Sequence, residues 1–138
     1  MEKEFVPVEL ALRMKAIGFD EPCFGHYQQE YHDDGMTELE PSLQMIISKQ
    51  HQHAYQVCTA PLYQQAFKWF REKYDLFPIV QPYFPSNRLT WNIIFMDNFS
   101  INVGDGDGEY VESEIIGSYE EAEIACLKKM IEIVKEKL

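Results

Sequence analysis

The run Phe77-Pro78-Ile79-Val80-Gln81-Pro82-Tyr83-Phe84-Pro85-Ser86-Asn87-Arg88-Leu89-Thr90-Trp91-Asn92-Ile93-Ile94-Phe95 holds two strands and the turn between them. In its second half, Leu89, Trp91, Ile93 and Phe95 alternate with Thr90, Asn92, Ile94 and Met96, the period of a strand with one face on a core. Its first half, Phe77 to Phe84, is also extended, but it carries Pro78 and Pro82. Proline has no N–H for a ladder, so this strand belongs at a sheet edge. Pro85-Ser86-Asn87 supplies the turn. Phe99, Ile101 and Val103 continue the second strand past an irregularity at Asp97-Asn98.

Helices flank this pair. Upstream, Thr59-Ala60-Pro61 reads as a helix start, with Thr59 as N-cap and Pro61 in the first turn. Leu62, Ala66, Trp69 and Phe70 then form one stripe that runs to about Tyr74. Downstream, Gly104-Asp105-Gly106-Asp107-Gly108 is a loop. Tyr110 to Ile116 is a third strand, with Val111, Ser113 and Ile115 on one face and Glu112 and Glu114 on the other. Ser118 and Glu121 have the spacing of a capping box. Ile124, Leu127, Ile131, Val134 and Leu138 follow at helical spacing.

Residues 59–138 therefore order as helix-strand-strand-strand-helix. Residues 1–58 add a helix and a hairpin. Val8 to Ile17 is the helix, with Leu10, Met14 and Ile17 on one side, Gly18 at its end and Phe19 turning inward. Phe24 to His32 and Met36 to Leu39 are the hairpin strands around Asp33-Asp34-Gly35, and Pro41 stops the second. Residues 42–58 read as extended. The expected fold is α+β: a small sheet of mostly antiparallel strands packed by helices, in a single domain spanning 1–138.

The chain has 138 residues, 46% of them apolar and 14% aromatic, which suits a folded domain rather than a disordered one. No apolar run reaches the roughly 18 residues of a membrane span. Met1-Glu2-Lys3-Glu4 leads into no signal-peptide core. Cys23, Cys58 and Cys126 are odd in number and widely spaced, as expected of reduced thiols, so the expected location is the cytoplasm. Net charge is −11. Residues 1–60 hold ten acids against four bases, 61–97 three against four, and 98–138 ten against four. Such a chain repels phosphate, which argues against direct nucleic-acid binding. Acidic charge also keeps an aromatic-rich chain soluble.

Motifs that could carry chemistry are sparse. His51 and His53 alternate, so they share a face if extended, and Cys58 follows. A structural zinc site needs four ligands, and the fourth would have to come from His26, His32 or Cys23. A solvated polar segment beside Gln50, Gln52 and Gln56 explains the histidines more simply. No metal and no cofactor are expected, with His51 and His53 the weak candidates. His32-Asp33-Asp34 has the makings of a general base but sits at a hairpin tip. Asp105, Asp107, Gly108 and Glu114 can be laid on a calcium loop, but its first position falls on Val103, which has no side-chain oxygen. No catalytic residue is assigned. Tyr83 and Phe84 lie on the proline-bearing edge strand, where aromatic side chains suit a partner protein. With Glu112 and Glu114 they are the candidate partner-binding residues.

Three segments look familiar together. They are Ile17-Gly18-Phe19-Asp20-Glu21-Pro22-Cys23-Phe24, Thr59-Ala60-Pro61-Leu62-Tyr63-Gln64-Gln65-Ala66-Phe67-Lys68-Trp69-Phe70-Arg71-Glu72-Lys73-Tyr74, and Ser118-Tyr119-Glu120-Glu121-Ala122-Glu123. In these the chain resembles a group of small uncharacterised proteins encoded by phages, prophages and mobile elements of gut bacteria. The resemblance implies a phage-related origin and a host cytoplasm, and it transfers no catalytic residue. The expected function is that of a non-enzymatic accessory protein that binds another protein. The alternatives are an acidic nucleic-acid mimic that blocks a host DNA-binding enzyme, and a small metal-dependent hydrolase using His51, His53 and an acidic residue. No membrane contact is expected.

Overall fold

In the computed structural model the described residues are 2–29, 37–41, 56–83, 88–95, 110–111 and 117–138. Their elements run α1 (Val8–Ala16), β1 (Gly25–Gln29), β2 (Thr37–Pro41), β3 (Gln56–Ala60), α2 (Tyr63–Tyr74), β4 (Leu76–Tyr83), β5 (Arg88–Phe95), β6 (Tyr110–Val111) and α3 (Tyr119–Lys137). The fold is α+β, and every described strand pairing is antiparallel. From α2 onward the order is helix-strand-strand-strand-helix, as the residue pattern predicts. The strands form two three-stranded sheets, β2-β1-β3 and β4-β5-β6. The chain divides into two compact units, Met1–Gln65 and Ala66–Leu138, and the division falls inside α2.

In the first unit, α1 buries Leu10, Ala11 and Met14. Its end is a Schellman motif. Gly18 takes φ 101°, the Gly18 N–H donates to the Lys15 carbonyl at 3.1 Å, and the Phe19 N–H donates to the Met14 carbonyl at 3.0 Å. Those bonds satisfy carbonyls that the last helical turn leaves unpaired. They also turn Phe19 inward, where it is 2% exposed.

The sheet of this unit is built around β1. Gly25 to Gln29 pair with Pro41 to Thr37 of β2. On the other side β1 pairs with β3, and the register shifts between Tyr27 and Gln28. Cys58 stands opposite Tyr27 and Gln56 opposite Gln28, which leaves Val57 as the extra residue of a bulge. The Val57 carbonyl accepts from the Lys15 ammonium of α1 at 2.9 Å. The N-terminal segment is held by the same sheet. The Val6 N–H donates to the Pro61 carbonyl at 2.8 Å, and the Val6 carbonyl accepts from the Tyr27 hydroxyl at 2.7 Å. Val6 is fully buried, so both of its backbone groups need these partners.

The expectation that Thr59 caps a helix is corrected here. Thr59 lies within β3 opposite His26, and only 1% of it is exposed. Helix α2 begins four residues later, at Tyr63. The physical reason is Pro61. Its ring disfavours helical geometry in the residue before it and favours extended backbone there. Ala60 then ends a strand whose ladder already has a partner in β1.

In the second unit β5 is central. Leu76 to Tyr83 of β4 pair with Phe95 to Arg88 without a break, and Ile93 and Ile94 pair with Val111 and Tyr110 of β6. Strand β4 is therefore an edge strand among the described residues, as its prolines require. A proline has no N–H to give, so Pro78 and Pro82 occupy pairs whose backbone groups point away from β5. Trp91 and Ile93 are buried on one face of β5 and Thr90 on the other, so both faces are covered at its centre.

Helix α3 lies against β5 and β4. The Ser118 hydroxyl accepts from the Glu121 N–H at 3.2 Å, which fixes the first turn. The helix buries Ala122, Cys126, Leu127, Met130, Ile131, Ile133 and Val134. Burying a side chain such as Leu127 contributes about 1.5–3 kcal/mol. In α2, Trp69 meets Phe70 and Tyr74 edge-on, at centroid distances of 4.9 and 5.2 Å. The Lys73 ammonium sits 5.0 Å from the Trp69 ring centroid. Asp75, at φ 55°, turns the chain from α2 into β4.

Candidate functional site

Of the candidate partner-binding residues, Tyr83 is placed by its backbone. It is the last residue of β4, paired with Arg88 of β5. Phe84, Glu112 and Glu114 lie outside the described residues, as do His51, His53, His32 and the Asp33-Asp34-Gly35 turn. The Pro85-Ser86-Asn87 turn, Phe99 to Val103 and the Gly104–Gly108 loop lie outside them too.

The residues from which a metal site would draw its other ligands are partly described. His26 stands opposite Thr59, whereas Cys58 is the next residue along β3. Neighbours in a strand point to opposite faces, so the sheet separates the His26 imidazole from the Cys58 thiol. Among the described residues no three His, Cys, Asp or Glu side chains are grouped to hold a metal ion.

All three thiols are buried. The Cys23 thiol donates to the Glu21 carbonyl at 3.3 Å. Burial pushes its pKa up to about 12, against the pull of hydrogen bonds from Thr59 and Gln65. Burial raises Cys58 to about 11, with the Lys15 ammonium drawing it partway back. Cys126 rises to about 12, through burial first and the nearby Glu123 carboxylate second. The thiolate is the nucleophile and the metal ligand, and at neutral pH these groups stay protonated. They act as small apolar core residues.

The residue pattern did not single out the exposed apolar side chains. Phe24 is 49% exposed and Tyr119 is 53% exposed. A signal for Phe24 was present. Polar His26 and Gln28 alternate with Gly25 and Tyr27, which puts Phe24 on the polar side of the strand, and the burial of Cys23, Gly25 and Tyr27 agrees with that phase. Phe24 belongs to the first unit and Tyr119 to the second. Beside Tyr119, Glu120 and Glu121 are exposed in the first turn of α3, where the helix dipole favours negative charge.

Comparison with known proteins returned no matching family model, no matching curated protein and no matching solved structure. No described helix is long and apolar enough to cross a membrane.

Proposed function

We propose that this chain is a non-enzymatic accessory protein of phage or mobile-element origin, working in a host cytoplasm by binding another protein. The observation that carries the reading is the position of β4. Among the described residues it is an edge strand, and it ends at Tyr83, with Phe84 following in sequence. Outward backbone donors are missing at Pro78 and Pro82, so this edge is poorly suited to an added strand. Docking there proceeds through the aromatic side chains.

The test is capture from lysate of a prophage-carrying host, at low and at moderate salt. The wild-type chain is compared with the Tyr83→Ala/Phe84→Ala double variant, whose folding is checked by circular dichroism. The expected result is a protein retained by the wild type at both salt concentrations and lost from the folded variant. Equal retention by both would overturn the aromatic edge as the docking site.

The acidic-mimic reading draws on the net charge of −11 and on exposed Glu120 and Glu121. It gives a different outcome. Exposed charges are screened beyond about 10 Å at 0.1 M salt, so a basic partner would leave at moderate salt. Duplex DNA would also displace it.

A further inference from the structure

We draw no further inference here: the strongest candidate, the outer edge of β4 at Pro78 and Pro82, which has no strand beside it among the described residues, carries nothing because nothing in the structure shows what covers it.

Discussion

Replacing Gly18 with alanine tests the junction between α1 and the core of the first unit. Gly18 has φ 101°, and an L-residue held in left-handed backbone costs roughly 1–2 kcal/mol. The upper part of that range applies, because the left-handed well is centred near +57°. The chain has one way to avoid this strain, which is to abandon the motif. That would break the bonds from the Gly18 and Phe19 N–H groups, at about 0.5–1.5 kcal/mol each. It would also draw Phe19 out of the core, where burial of such a side chain contributes about 1.5–3 kcal/mol. Abandoning the motif costs more than the strain, so Gly18→Ala keeps the conformation and bears the strain. Alanine also narrows the unfolded ensemble, which returns about 0.4–1 kcal/mol. The expected net loss is about 1 kcal/mol, read from urea midpoints by far-ultraviolet circular dichroism. A semisynthetic chain with D-alanine at position 18 supplies the decisive comparison. A D-residue favours positive φ, so it should match or exceed the wild type. If L-alanine at position 18 is neutral, or D-alanine is as damaging as L-alanine, the strain argument fails.

Other perturbations follow from the same geometry. Leu127→Ala empties a fully buried position on α3 and should cost on the order of 2–5 kcal/mol; a loss below roughly 0.5 kcal/mol would mean that this face packs against nothing. Asp75→Gly should stabilise by about 0.5 kcal/mol, because it relieves left-handed strain and removes a carboxylate from the end of α2, against the extra chain entropy of glycine. Asp75→Ala loses the same carboxylate but holds alanine, which tolerates left-handed backbone less well than aspartate, so it should not stabilise; equal midpoints for the two variants would count against this account. The thiols predict a pH dependence. Their folded pKa values of about 12, 11 and 12 lie above the ordinary 9.0, so the folded state holds protons that the unfolded state releases. Their contribution is fully present below pH 9 and declines as pH rises toward the folded values. Urea midpoints should fall above pH 9, and less steeply in Cys126→Ala; identical slopes would refute the assignment for Cys126.

Legibility in the sequence followed the range of the interactions. Helix α3 and the end of α1 were readable because Ser118 acts on Glu121 and Gly18 on Lys15, each three residues apart. The edge position of β4 was readable from Pro78 and Pro82, since a missing donor is a property of the residue itself. Thr59 was misread because a threonine two residues before a proline suits a helix start and a strand end equally, and only its pairing with His26 decides between them. The Val57 bulge and its Lys15 partner lie 42 positions apart. The Tyr27 bond to Val6 spans 21. No local pattern announces either. For the candidate site, the sequence located the edge strand that bears Tyr83, while its own alternation held an unused pointer to exposed Phe24.

The prolines of β4 also bear on how the molecule tolerates its own abundance. An edge strand with a full set of outward donors and acceptors is a template for another copy of itself, and the tendency to pair grows with concentration. Pro78 and Pro82 interrupt that template at two alternate positions. A chain carrying Pro78→Thr would regain an outward donor and keep its ladder to β5, so it should melt like the wild type in dilute solution. The difference would emerge only in crowded samples, as light scattering that rises with protein concentration. Selection on these two residues would then track expression level, and they would look dispensable in any assay run on scarce material.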